Sequence, residues 1–168
     1  MASQSFSLAS VETGPLFSLS FSLTILAWLI ADITTRTQQG WVLFNEAIYL
    51  FNERKLWWSA AREFCEDLQS VLTSVENEAE QIFLESEVKA AKQDFWIGLY
   101  WRNGWKWADS REYEIKHWAA NMPLDSADNR CGFLQNQCRV PTKCWGNLQC
   151  GEEKRFICKK RPDKRWYS

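Results

Sequence analysis

The chain has 168 residues, 46% of them hydrophobic, and a formal net charge of −1. That length is a prior for one domain with room for an attached segment, and the near-neutral charge gives no electrostatic footprint for nucleic acid. Eleven tryptophans, ten of them at or after Trp41, allow one domain to bury a large apolar area per residue.

The N-terminal end differs from the rest. Leu16 to Ile33 is apolar but interrupted by Ser18, Ser20, Ser22, Thr24 and Asp32, and its uninterrupted core runs only from Ile25 to Ala31. A membrane helix needs about 20 mostly apolar residues, whereas a secretory signal needs about 7–15. Residues 1–31 therefore read as a signal peptide, followed by a linker over 32–40. No Lys or Arg precedes the apolar run, and the only charge there is Glu12. An uncleaved signal anchor with the domain outside is the alternative, and an end that is no native export signal is the third reading. Residues 161–168 read as a solvated basic tail.

From Trp41 the pattern is α+β. Trp41–Phe44 and Ala47–Phe51 read as short strands. A helix is expected from about Trp58, with Trp58, Ala61, Cys65 and Leu68 on one face at spacings of three and four. Leu72 and Val75 form an apolar connector. Asn77 offers an N-cap with Glu80 three residues on, like a capping box. The helix that follows is expected to bury Ala79, Ile82, Phe83 and Ser86 and to end near Ala91. Phe95–Trp101 reads as a strand, Asn103-Gly104 as a hairpin turn, and Trp105–Trp107 as the return strand. Trp58, Trp96, Trp107, Trp118 and Trp145 are assigned to the core, while Trp101 and Trp105 flank the hairpin tip and are expected to be partly exposed. A long irregular stretch leads into the cysteine-rich end.

The six cysteines are Cys65, Cys131, Cys138, Cys144, Cys150 and Cys158. Six allow 15 pairings. No close C-x2-C pair is present, which argues against a zinc ribbon and for disulfides made in an oxidising compartment. Nothing marks the chain as an enzyme: no nucleophile elbow, phosphate loop or metal-ligand motif occurs. The single histidine, His117, reads as a structural or surface residue.

One ordered set of residues is specific. It runs through Trp58, Ala61 and Cys65, then Leu72, Val75, Asn77 and Glu80. Next come Phe95-Trp96-Ile97-Gly98-Leu99 and Trp105-Lys106-Trp107-Ala108-Asp109. Cys131 is followed, after thirteen residues, by Trp145-Gly146-Asn147-Leu148-Gln149-Cys150, and five residues later by Phe156-Ile157-Cys158. Over residues 41–160 the chain thereby resembles the C-type lectin-like domain family. The resemblance implies an α+β fold of two helices flanking small antiparallel sheets, with a long loop region and disulfide staples. It implies bonds from Cys65 to Cys158 and from Cys131 to Cys150. Cys138 and Cys144 are outside the family framework; they lie within the loop closed by Cys131 and Cys150 and are expected to pair locally, the alternative being free or intermolecular thiols. A weaker resemblance, carried by Phe44–Phe51 and the Trp-Gly-Asn-x-x-Cys segment, links the chain to single domains of the mannose-receptor group.

Sugar-binding members of that family hold calcium through a Glu-Pro-Asn or Gln-Pro-Asp triplet, an acidic residue just before the inner cysteine, and an Asn-Asp pair after the tryptophan. Calcium wants six to eight oxygen ligands. Here the triplet is Met122-Pro123-Leu124, the pair is Gly146-Asn147, and Asp128, Asn129 and Arg130 precede Cys131. The expectation is no calcium at the sugar position and no other cofactor, with an accessory Mg2+ or Ca2+ on Asp125 and Asp128 as a subsidiary reading. Candidates for a ligand-contacting surface are Met122, Pro123, Leu124, Asp125, Asp128, Asn129, Arg130 and Asn147. The functional expectation is an extracellular recognition module for a protein or atypical carbohydrate ligand. The alternatives are a calcium-dependent lectin with an unusual site, and a non-binding spacer from a multi-domain receptor. Nucleic acid is not an expected partner, and a membrane is one only if the N-terminal segment remains as an anchor.

Overall fold

The computed structural model describes residues 40–161. The leader expected over 1–31, the linker up to residue 39 and the tail from residue 162 lie outside the described residues. Strands β1 (Trp41–Phe44) and β2 (Ala47–Leu56) form a hairpin and lead into helix α1 (Trp58–Asp67) and the short strand β3 (Val71–Leu72). Helix α2 (Glu78–Ala91) is followed by β4 (Phe95–Trp101), β5 (Trp105–Trp107), β6 (Cys131–Leu134), β7 (Trp145–Leu148) and β8 (Lys154–Lys160). These strands join one sheet ordered β1-β2-β8-β4-β6-β7, with β3 against β8 and β5 against β4. The sheet is mixed, since β4 and β8 run parallel while the other pairs are antiparallel.

The period-two alternation of β4 explains the layering. Phe95, Ile97 and Leu99 enter a core with Leu84 and Val88 of α2, together with Trp107, Trp145 and Ile157. Trp96 faces the opposite side, in a second core with Trp58, Ala61 and Cys65 of α1 and with Phe133, Phe156 and Cys158. Each face of the sheet is thus covered by one helix. Three of the buried indoles find acceptors: Trp58 Nε1 donates to Ile97 O at 2.8 Å, Trp96 Nε1 to Leu56 O at 2.9 Å, and Trp145 Nε1 to Gln81 Oε1 at 2.9 Å. Glycine is required at position 98, where the N–H donates to Thr73 O at 2.7 Å and a Cβ would collide with the Leu72 carbonyl oxygen.

Three disulfides are nested. Cys65–Cys158 ties α1 to β8, Cys131–Cys150 spans β6 and the turn after β7, and Cys138–Cys144 lies inside the second loop. In the chain-entropy argument the outer bond, closing a loop of ~90 residues, stabilises by about 4–5 kcal/mol, and the one closing ~20 residues by about 3. The first N–H of α1, on Trp58, donates to Cys150 O at 3.0 Å, so the second staple also caps this helix.

Two expectations about the helices need correction. Helix α1 ends at Asp67, and Leu68 is an exposed C-cap rather than part of the buried face. The inward face of α2 is Glu80, Gln81, Leu84 and Val88; Ala79 and Ser86 are exposed, Ile82 is 54% exposed, and Phe83 is half-buried against Phe44, Tyr49 and Phe51. The reason is polar. The cap forms, with Asn77 Oδ1 accepting from Glu80 N at 2.9 Å, and it holds the Glu80 carboxylate inward to accept from Tyr49 Oη at 2.7 Å. Lys159, itself buried, reaches Glu80 at 2.6 Å and Glu76 at 2.5 Å. A buried carboxylate and ammonium are tolerable only when paired in this way.

Glu76 gathers Lys159, Arg111 and Arg161. Burial alone would raise its pKa, but the Lys159 hydrogen bond and these three charges outweigh burial and hold the carboxyl below its ordinary value. A depressed carboxyl contributes stability that is present above the unfolded value, near 4.3, and is lost as pH falls through the lowered folded value. Glu76→Gln is therefore expected to lower stability by about 1 kcal/mol at neutral pH, allowing for partial exposure. It should also flatten the acid side of a plot of melting temperature against pH; an unchanged acid limb would contradict this role.

Candidate ligand-binding face

Between β5 and β6 the chain makes one long excursion with little regular structure, and strand β7 holds it. Trp145 N–H donates to His117 O at 2.8 Å and Ala119 N–H donates to Trp145 O at 2.9 Å, so residues 117–119 run parallel to β7. His117 is buried with its ring edge-on to Trp145 at 5.2 Å. Burial lowers its pKa, and its Nδ1 lies 2.6 Å from Thr142 O, which can only accept. Nδ1 therefore carries a proton and donates to Thr142 O, tying the 117 segment to the small disulfide loop. That is a structural role.

The excursion then turns at a cis Met122–Pro123 bond and passes over Asn147. Asn147 is fully buried in β7, opposite Gly132. Its Oδ1 accepts from Leu124 N at 2.7 Å, and its Nδ2 donates to Leu124 O at 2.9 Å and to Asn129 O at 2.8 Å. One side-chain amide thus satisfies three backbone groups from both ends of the loop, using both its donors. Asn147 belongs to the support of the face and not to its surface, a correction to its place among ligand-contacting candidates. Gly146 is closely packed: a Cβ there would stand 2.6 Å from Phe133 Cζ and 2.7 Å from Gln135 Nε2, so a larger residue would require those side chains to shift.

The other candidates lie together on the outer side of the loop. Pro123, Asp125, Asp128 and Arg130 are exposed, Leu124 is 43% exposed, and Met122 and Asn129 are half-buried. Asp125 and Asp128 form no cluster with a third His, Cys, Asp or Glu among the described residues. Among the described residues one group of acid and cysteine ligands lies within 4.8 Å, Glu85 with Cys138 and Cys144, and both sulfurs are joined in the disulfide.

Tryptophans form a ladder beside this loop. Trp101 meets Trp105 at 5.7 Å, Trp105 meets Trp118 at 4.7 Å, and Trp118 meets Trp145 at 5.9 Å. Exposure grades outward from the buried Trp145 through half-buried Trp118 and Trp105 to Trp101, which is 41% exposed. The hairpin signal at Asn103-Gly104 was enough to set Trp101 opposite Trp105, and both turn residues have positive φ, 55° and 127°. What no sequence signal carried is that Trp101 N–H donates to Arg130 O at 2.8 Å, which brings the hairpin to the candidate loop.

Comparison with known proteins agrees with this architecture. The profile of the family described as Lectin C-type domain matches residues 54–160. Human C-type lectin domain family 4 member K is 30% identical over 138 residues, covering 77% of this chain and 40% of that protein. Rat C-type mannose receptor 2 is 29% identical over 137 residues, covering 77% of this chain but 9% of the receptor, so the chain spans less than half of either relative. Human lithostathine superposes with a TM-score of 0.66 at 25% identity over 73% of this chain and 98% of its own. The mouse scavenger receptor C-type lectin carbohydrate-recognition domain gives 0.65 at 28% identity, over 74% and 95%. The profile match takes in both helices, the outer disulfide and the strands that carry the loop, and the chain belongs to the C-type lectin domain family.

Proposed function

We propose that the chain is an extracellular, calcium-independent recognition module that engages its ligand through the long-loop face from Met122 to Arg130. The carrying observation is Asn147. Its two amide hydrogens point at the carbonyls of Leu124 and Asn129, and its oxygen is taken by Leu124 N–H. The loop is closed onto β7 by a buried amide, whose single oxygen already accepts from Leu124 N–H. Met122 and Leu124 carry no hard oxygen donor in their side chains, and Gly146 has no side chain to supply one. These residues do not fit a six- to eight-oxygen calcium shell.

Binding rather than catalysis fits the family, and an extracellular place fits its three disulfides and its receptor relatives. A signal peptide over 1–31 would deliver it there. The exposed Leu124, Arg130 and half-buried Met122 are residue types that suit a recognition surface. A calcium-dependent sugar-binding reading is kept in view by two solved neighbours, the SPL-1–GlcNAc complex at 27% identity and cow CD23 with a GlcNAc2Man3 oligosaccharide at 26%.

Two measurements decide. Thermal unfolding of the oxidised protein should be unchanged by millimolar calcium, whereas a bound ion at 100-fold excess over Kd would add about 2.7 kcal/mol; such a rise would sink the calcium-independent reading. In the same assay Asn147→Asp should cost roughly 2–4 kcal/mol, because it loses both donors and turns oxygens toward two carbonyls. Met122→Ala combined with Leu124→Ala should weaken ligand binding at least tenfold with little change in melting temperature, and a ligand bound equally well by that variant uses another surface.

A further inference from the structure

We propose that Trp105, Trp101 and Arg130 form a cross-strand row that is a subsite for an acidic sugar, a pyranose bearing a sulfate or carboxylate. The inference rests on the calcium-independent reading above and names the ligand class for that face. Trp101 pairs with Trp105 on β5. On its other side Tyr100 pairs with Cys131, and the Trp101 N–H bond to Arg130 O carries the same antiparallel register one residue further. Directly opposite residues put their side chains on one face, with Cβ atoms about 5 Å apart, the width of a single sugar ring. The alternation agrees: Tyr100 and Cys131 pack in the α1-side core, so Trp101 and Arg130 belong to the other face, where Trp101 meets Trp105.

The floor of the subsite is rigid. Trp101 rests edge-to-face on Trp105 at 70°, and Trp105 is backed by Trp118, whose Nε1 donates to Tyr113 Oη at 2.6 Å. A flat indole held this way offers an apolar face to the C–H side of a pyranose at little cost in side-chain entropy. The charge beside it is unspent. Arg62, Arg111, Arg155 and Arg161 each hold a carboxylate, whereas Arg130, like Arg54, Arg102 and Arg139, has none within ion-pair distance among the described residues. Arg130 Nε donates to Ala127 O at 2.5 Å, which fixes the arm while leaving the two Nη groups to address an anion. A guanidinium fork suits the paired oxygens of a sulfate or carboxylate.

A compact ligand fits better than an extended peptide. Trp101 is flanked by hydrogen-bonded chain on both sides, so it presents no free strand edge for a peptide to add to. Recognition must come from side chains alone: one aromatic plane with a cation at its border.

The test is equilibrium binding of the oxidised full chain, in EDTA, to a heparin-derived oligosaccharide, a sialylated oligosaccharide, their desulfated or neutral counterparts, and a polyglutamate peptide. At least one of the acidic sugars should bind and the neutral forms should not. Trp101→Ala and Arg130→Gln should each weaken binding at least tenfold. Leu43→Ala, an exposed site on β1, should leave it unchanged, and melting temperatures should stay within a few degrees of the parent. Unaltered affinity in both row variants would overturn the subsite, as would polyglutamate binding as tightly as the acidic sugar. If no acidic sugar binds while another ligand is held in EDTA and lost in the Met122→Ala, Leu124→Ala variant, the subsite falls and the proposed face stands. Sugar binding that EDTA abolishes would overturn both.

Discussion

Strand β8 is where the molecule is closed, and the rest of the architecture depends on that closure. It is the last strand among the described residues, yet it lies inside the sheet, with β2 along one side and β4 and β3 along the other. Inserting it joins the N-terminal hairpin to the half of the sheet that carries the long loop. Its alternation serves both cores at once, since Ile157 packs on the α2 side while Phe156 and Cys158 pack on the α1 side. Its Lys159 reaches the two carboxylates that define the start of α2. A strand placed last, buried on both faces and covalently tied at Cys158, makes the fold cooperative: without it neither core is complete.

Much of this was written in local patterns. Alternation along Phe95–Leu99, the turn at Asn103-Gly104 and the cap at Asn77 each act over a few residues, and each is present in the fold. The inward face of α2 was not legible, because it is chosen by Glu80 and Gln81. Their partners are Tyr49, Lys159 and Trp145, far away in sequence, and a hydrophobicity pattern assigns such polar residues to solvent. Tyr49 feels the same environment: burial, then the Glu80 charge beside it, pushes its hydroxyl above the ordinary range. The sheet as a whole was also harder to see than its parts, since the parallel contact of β4 with β8 joins segments with no local signal between them.

The loop face shows the same division. Which oxygen-bearing residues are missing from it could be read directly from Met122, Leu124 and Gly146. What takes their place could not. Asn147 looked like the remnant of a ligand set, and in the fold it is a brace whose polar atoms all point into the backbone of the loop. An amide supplies donors and an acceptor on one rigid plane, so it can bridge two carbonyls that a carboxylate would repel. The loop is thereby tied to β7 at Leu124 and Asn129 by the chain's own side chain.

The tryptophan ladder has a further consequence, in how the molecule handles light. Trp101, Trp105, Trp118, Trp145 and Trp107 are linked by ring-to-ring steps of 5.7, 4.7, 5.9 and 5.3 Å. At such separations excitation is shared between neighbouring indoles, and their fixed tilts make the coupled transitions chiral. These five of the eleven tryptophans therefore contribute coupled bands to the near-ultraviolet dichroism, from a chain of rings that starts in the core and ends in solvent. Anything resting on Trp101 perturbs the outer end of that chain, and the effect is transmitted inward without any atom of the core having to move.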